Sequence, residues 1–292
     1  MAADDPLNRR FGAIMFDWDG TAVPDRRADA SILRDLLERL SRLGCHLVIT
    51  SGTHLENVDD QLGARPAGPG RLFIDSNRGS EIWEVRHDGA VLRERRESRP
   101  GENEALDRAA AATVDALASR GLAIGEVSTR LNRRKIDLMP LPDWSDPPKS
   151  RIAELLAATL ATLRNAGFGS LHEVCELARD LARAAGIADP RVTTDAKHVE
   201  IGLTDKSDAA RQIFPALASL GVPPEEVLVC GDEMGPLGGE PGSDSLMLVG
   251  DGARAVAVSV GVEPEGVPPG VIALAGGPPR FLGLLRDQSA RR

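Results

Sequence analysis

The 292-residue chain predicts an α/β protein built on a doubly wound, mostly parallel sheet, with a second, α+β domain inserted into it. Three observations carry this expectation: apolar runs near both ends of the chain, amphipathic helix patterns between them, and a middle portion ordered differently. The runs lie at 12–16, 46–50, 71–74, 227–230, 255–260 and 271–274, and their length and lack of polar alternation suit strands covered on both faces. Between the first two, Ile32, Leu33, Leu36, Leu37, Leu40 and Leu43 recur at helical spacing and stop at Gly44. Ala209, Ala210, Ile213, Leu217 and Leu220 do the same before Gly221, glycine being the residue that most readily ends a helix. Strands that alternate with helices specify a parallel sheet.

The middle of the chain opens at Asn77-Arg78-Gly79 with hairpin-like Ser80 to Val85, a turn at His87-Asp88-Gly89 and a return through Val91-Leu92. A helix at 103–119, strands at 122–128 and 134–139, a proline-rich break from Pro142 to Pro148, helices at 150–165 and 171–185 and strands within 191–201 follow. The expected organisation is a core of residues 1–76 and 203–292 around an insertion of residues 77–202, with frayed ends at 1–9 and 287–292.

Acidic residues outnumber basic ones 44 to 35, for a net charge of −9 and a pI near 5.2. That balance argues against nucleic acid or an anionic membrane as the main partner and favours a small soluble ligand. No apolar stretch approaches a membrane span, and Met1-Ala2-Ala3-Asp4-Asp5 lacks the basic-then-apolar order of a signal peptide, so a cytoplasmic location is expected. Cys45, Cys175 and Cys230 share no ligand spacing and read as buried thiols. Lysine occurs only at 135, 149, 197 and 206, which makes a lysine near a site informative. Oligomeric state stays open.

Candidate chemistry begins at Asp17-Trp18-Asp19-Gly20-Thr21, directly after the first apolar run. A buried strand ending in Asp-x-Asp presents two carboxylates at the sheet's carboxyl edge, where open α/β sheets bind ligands. One can attack phosphorus while the other exchanges protons, although such pairs also cap helices and decorate turns. Ser51-Gly52, after the second run, offers a hydroxyl and backbone N–H groups for phosphate where a helix begins, or equally a helix cap. Thr204-Asp205-Lys206-Ser207 opens a helix with one ammonium, and Gly231-Asp232-Glu233 ends the fourth run, with Asp244 beyond a Gly/Pro-rich loop. Oxygen-rich strand ends of this kind suit Mg²⁺.

In that order the four segments resemble the signature motifs of the haloacid dehalogenase superfamily. The resemblance implies a Rossmann-like core, Mg²⁺ and an aspartyl-phosphate intermediate. It makes Asp17 the nucleophile and a metal ligand, and Asp19 the general acid/base, whose backbone carbonyl also meets the metal. Asp232 becomes a metal ligand, Glu233 or Asp244 lies in or just behind the metal shell, and Ser51, Gly52 and Lys206 hold the phosphoryl group. Dehalogenases of the superfamily lack a carboxylate at the position of Asp19, so hydrolysis of a phosphate ester is implied instead.

The long insertion between Ser51 and Lys206 resembles a C2-type cap, as in sugar phosphatases, trehalose-phosphate phosphatase and eukaryotic-type phosphomannomutase. Asp19 to Arg26 and the loop Gly231 to Gly239 are similar to phosphomannomutase, although the Asn-Val-Ser-Pro run of that family is absent. Many relatives carry arginine where this chain has Thr53. Cap residues Arg130, Arg133, Arg134 and Lys135 are expected to clamp an anionic substrate, or to form a solvated strand edge. The expected function is a Mg²⁺-dependent phosphatase of a small phosphorylated metabolite, a sugar phosphate. A phosphohexomutase and a non-catalytic binding or regulatory protein of the same fold are the alternatives.

Overall fold

In the computed structural model, which describes residues 5–291, the apolar run before Asp17 lies inside the larger of two sheets. The elements run β1 (Ala13–Asp17), α1 (Ser31–Arg42), β2 (His46–Thr50), α2 (Leu55–Leu62), β3 (Leu72–Ser76), β4 (Glu81–Arg86), β5 (Gly89–Arg95) and α3 (Glu102–Ala118). Then come β6 (Val127–Arg130), β7 (Arg133–Asp137), α4 (Ile152–Asn165), α5 (Leu171–Ala184), β8 (Arg191–Thr194) and β9 (His198–Gly202). The chain closes with α6 (Lys206–Ser219), β10 (Val227–Gly231), β11 (Val256–Ser259), β12 (Val271–Ala273) and α7 (Gly277–Ala290).

The eight-stranded sheet has the order β12-β11-β10-β1-β2-β3-β4-β5. Its first six strands are parallel, and β4 and β5 add an antiparallel edge. Every residue of β1, β2, β3 and β10 is buried, because alternate side chains feed two separate cores. Ile14 and Phe16 join Leu33, Leu37, Phe281 and Leu285 on the face covered by α1 and α7. Ala13 and Met15 join Ile213, Phe214 and Leu217 of α6 on the other face.

The smaller sheet, β6-β7-β9-β8, is antiparallel throughout. With α3, α4 and α5 it encloses a third core around Leu106, Ile136, Leu155, Leu171 and Val199. The strand expected at 122–128 forms later, at Val127–Arg130, while Leu122 packs into this core.

Three expectations need correction. The hairpin β4–β5 belongs to the larger sheet, pairing Leu72 with Val85 and Ile74 with Trp83, so an insertion starting at residue 77 starts too early. The smaller unit begins beyond Arg95, because the exposed edge of β3 takes β4 as its partner before the chain leaves. Trp83, expected in the cap, accordingly packs against the α1/α7 core. The expected fraying at 287–292 also fails: α7 runs to Ala290, Gln288 and Ser289 are buried, and the Phe11 N–H donates to Gln288 Oε1 at 3.2 Å. Met1–Asp4 and Arg292, which bear on the terminal expectations, lie outside the described residues. Among the described residues no helix is long and apolar enough to cross a membrane.

Phe281 anchors α7 through its ring, 4.8 Å from that of Phe16 centroid to centroid. Replacing this fully buried side chain, Phe281→Ala, is expected to cost about 3–5 kcal/mol of unfolding free energy in urea. A loss under about 1 kcal/mol would mean that the helix is not anchored there.

Candidate active site

Strand register brings the motifs together. β1 lies between β10 and β2, with Asp17 opposite Thr50 and Phe16 opposite Cys230, so the residues that follow β2 and β10 emerge beside Asp17. This is where strand order reverses in a doubly wound sheet and where a crevice opens. Asp17, Asp19, Gly52, Lys206, Asp232, Glu233 and Asp244 all line one cleft of about 810 Å³ between the larger sheet and the cap. Ser51 is buried and does not line the cleft, although its neighbour Gly52 does.

Carboxylate oxygens of Asp17, Asp232 and Asp244 lie within 4.8 Å of one another. Lys206, the first residue of α6, reaches this cluster because Asp205 and Asp208 cap the helix reciprocally. Its Nζ donates to Asp17 Oδ1 and Asp244 Oδ1, each at 2.5 Å. Burial pushes the Asp17 carboxyl up to about 6 against the opposing pull of Lys206. Burial also works against the Lys206 ammonium, but Asp17 and Asp244 outweigh it and hold its pKa above the ordinary lysine value. Asp232 is raised well above its usual range by burial, reinforced by Asp17, Glu233 and Asp244 and opposed by Lys149.

Asp244 is the most committed of the three. Its Oδ2 accepts the backbone N–H groups of Asp232 and Glu233, both at 2.9 Å, while Oδ1 takes Lys206. It thereby shapes the turn after β10. Asp232 Oδ1 accepts from Thr21 Oγ1 at 3.1 Å. Gly20 permits this approach: its φ is +97°, and a Cβ there would stand 2.4 Å from Asp232 Oδ2. The side chains of Asp19 and Glu233 turn elsewhere. Asp19 is 30% exposed and 3.4 Å from Arg26 Nε, whereas Glu233 accepts from Lys149 and from Ser243 Oγ.

At the second motif, the Ser51 N–H donates to the Asp75 carbonyl and its Oγ accepts from the Thr53 N–H. The helix cap is His54, not Ser51.

The cap residues divide by strand alternation. Arg133 and Lys135 on β7, with Arg130 at the end of β6, line the cleft. Arg134 does not: it points to the opposite face and donates to Asp107 Oδ1 of α3 at 2.5 Å, so its expected place in a substrate clamp is corrected. Successive residues of a strand face opposite sides, and a run of basic residues cannot all meet one ligand.

Several cleft residues were not among the sequence candidates. Lys149 reaches across from the cap to Asp232 at 3.5 Å and to Glu233, and only the scarcity of lysine hinted at it. Glu200, Asp195 and Arg78 also line the cleft. Nothing local marks the two acids, and Arg78 sits in a tripeptide legible only as a turn.

No protein-family model matches the sequence, and no curated protein matches it. Solved structures do resemble the fold. An N-terminally truncated, IMP-bound IMP-nucleotidase of Plasmodium falciparum aligns at TM-score 0.61 and 10% identity, over 97% of this chain and 69% of that one. Trehalose-6-phosphate phosphatase of Aspergillus fumigatus aligns at TM-score 0.55 and 15% identity, over 95% and 92%. A trehalose-6-phosphate phosphatase related protein aligns at 0.50 and 14%, over 95% and 97%. The shared fold is the haloacid dehalogenase fold, a largely parallel α/β core carrying a cap.

Removing Asp244 leaves two buried N–H groups and one arm of Lys206 without a partner. Asp244→Ala is therefore expected to destabilise the protein by about 3–5 kcal/mol in urea unfolding. A change within about 0.5 kcal/mol would remove Asp244 from this structural role.

Proposed function

We propose that the protein is a phosphatase of the haloacid dehalogenase type, a Mg²⁺-dependent hydrolase of a small phosphorylated metabolite, acting in the cytoplasm. The observation that carries this reading is the Asp17 carboxylate: it is buried at the end of β1, bonded to Lys206 through one oxygen, and grouped with Asp232 and Asp244.

Three buried carboxylates with hard oxygen donors fit a divalent cation of the Mg²⁺ class, and burial, reinforced by their crowding, raises the pKa of Asp232. Asp17 and Asp232 would hold the ion, with the backbone carbonyl of Asp19, while Asp244 and Glu233 orient the turn behind. When bound, the cation offsets the charge that the phosphate brings to these acids.

The remaining steps belong to the chain. Lys206 and the Ser51-Gly52 turn orient the phosphoryl group. An Asp17 oxygen attacks phosphorus, the ester P–O bond breaks, and Asp19 gives its proton to the departing alkoxide. Asp19, now ionised, takes a proton from water, whose oxygen attacks the aspartyl-phosphate, releases orthophosphate and restores Asp17. The partial exposure of Asp19 in the cleft suits a group that must meet both leaving group and water.

A sugar phosphate suits the cleft better than a nucleotide. Among the described residues the walls are mostly charged and polar, with Pro24, Pro147, Pro148, Ile152 and Leu155 beside them, and the one aromatic ring is the His198 imidazole, which is engaged by Asp195. Trp144, on the cap, packs under Arg151 instead. The cytoplasmic assignment rests on Cys175 and Cys230, which are buried as thiols, as suits a reducing compartment.

The test is phosphate release from a panel of sugar and polyol phosphates, with and without Mg²⁺. Asp17→Asn should lower Mg²⁺-dependent turnover by about 10³-fold or more with the melting transition retained. Retention of more than about a tenth of the activity would exclude Asp17 as the nucleophile.

A further inference from the structure

Arg78 occupies a conformation that only strong local constraint maintains. Asn77, Arg78 and Gly79 have φ values of 54°, 53° and 82°, and left-handed backbone is costly for the two residues that carry a Cβ. The constraint is visible. The Asn77 N–H donates to the Thr53 carbonyl and the Arg78 N–H to the Ser51 carbonyl, at 2.9 and 3.0 Å, tying the turn to the segment that holds the phosphate loop. The Gly79 N–H donates to Asp75 Oδ1 at 2.8 Å, and a Cβ on Gly79 would stand 2.4 Å from the Asp205 carbonyl oxygen. The turn is thus clamped between the second motif and the start of α6.

This backbone delivers the Arg78 side chain over Gly52. A Cβ built on Gly52 would meet Arg78 Nε at 3.3 Å and Arg133 Nη1 at 3.5 Å. Arg78 comes from the core, immediately after β3, and Arg133 from the cap, on β7; their side chains are 10% and 6% exposed. Arg133 also donates to the Gly52 carbonyl at 2.7 Å.

The charges around them do not balance. Glu200 serves three cations: Arg78 Nε at 3.2 Å, Arg133 Nη1 at 2.8 Å and Lys135 Nζ at 3.4 Å. Asp195 is engaged with Lys135 and His198, and Arg130 lines the same cleft. Arg78 Nη1 donates to Thr193 Oγ1 at 3.2 Å and Nη2 to Glu200 Oε1 at 3.5 Å, yet despite their closeness to Glu200, Arg78 Nε, Arg133 Nε and Arg133 Nη1 are buried without a well-formed hydrogen bond. A purely structural salt bridge aligns its donors, and two guanidiniums crowded on one carboxylate leave donors for something else.

We propose that Arg78 and Arg133 form a two-guanidinium oxyanion subsite over Gly52, half core and half cap, which is complete only when the cap is closed. The inference rests on the phosphatase reading and deepens it: Arg78 is a specificity residue, and the ligand is a tetrahedral or carboxylate oxyanion of the substrate. That oxyanion is either the transferred phosphoryl group or a second acidic group on the same substrate. Glu200 holds the two forks in place and competes with the anion for them.

The test is calorimetric titration of the full chain with Mg²⁺ and orthophosphate, alongside thermal melting. Arg78→Met should raise the orthophosphate Kd about tenfold or more, with Arg78→Lys recovering little of it because an ammonium lacks the planar fork. If orthophosphate is unaffected, glucose 6-phosphate and glucose 1,6-bisphosphate are compared on Asp17→Asn, with and without Arg78→Met; loss of the bisphosphate's advantage assigns the subsite to a second acidic group. Glu200→Gln should tighten the affected anion about threefold, whereas a mere cap-to-core ion pair predicts weaker binding together with a lower melting temperature. The proposal is overturned if neither anion responds to Arg78, or if Glu200→Gln weakens binding. Absence of phosphate release from every ester, with orthophosphate binding still dependent on Arg78, would sink the catalytic reading and leave the subsite standing.

Discussion

The contact on which the rest depends is the Lys206 ammonium held between Asp17 and Asp244. Gathering Asp17, Asp232, Glu233 and Asp244 in one buried place sets like charges against each other in a medium that screens them weakly. Without a buried cation the cheapest response is protonation or water entry, and either would remove the carboxylate chemistry. Lys206 answers that repulsion from within the chain. It does so only because the Asp205–Asp208 capping box starts α6 where it does, so a local helix signal sets the electrostatics of a site whose other members lie far away in sequence.

A second constraint ties the cap to this pole. The loop between Asp232 and Asp244 does more than connect two acids: Leu237 leaves the larger sheet's territory and packs in the core of the cap. Glu240 accepts from Arg179 Nη2 at 3.2 Å and meets His172 Nδ1 at 2.6 Å, both on α5. The Gly238 carbonyl accepts the His172 N–H at 3.0 Å. Cap position and the turn behind Asp232 are therefore mechanically linked, and Lys149 and Arg133 add contacts from the cap to the core on the cleft side. A cap held in this way can exclude water from the cleft, which strengthens every charge interaction inside it.

The residues near the ends of the chain were legible because their information is local. A short apolar run, a glycine and an acid say where a strand stops, and six runs identified in this way correspond to β1, β2, β3, β10, β11 and β12. Parallel strands in one sheet present their carboxyl ends to the same edge, which was enough to expect Asp-x-Asp, Ser-Gly and Gly-Asp-Glu near one another, and the resemblance of the four ordered motifs to the haloacid dehalogenase superfamily added Lys206 to them. The hairpin after residue 77 was visible as a hairpin, but nothing in its alternation says which sheet it joins. Arg133 and Arg134 are neighbours of one type, and only the pairing of β7 with β6 and β9 sends one into the cleft and the other to Asp107.

By itself, then, the sequence determined the α/β class and the order of the main strands and helices, because these follow from short-range patterning and strand direction, whereas the grouping of the acids with Lys206 was expected from the resemblance of four motifs to the haloacid dehalogenase superfamily. Tertiary structure alone decided that Asp244 serves the backbone and Lys206 with both its oxygens, that Lys149 crosses from the cap to Asp232 and Glu233, and that Arg78 and Arg133 meet over Gly52. Those facts depend on distances between segments remote in the chain. Such distances are set by how two packed cores are held against each other, a quantity that no local pattern of residues encodes.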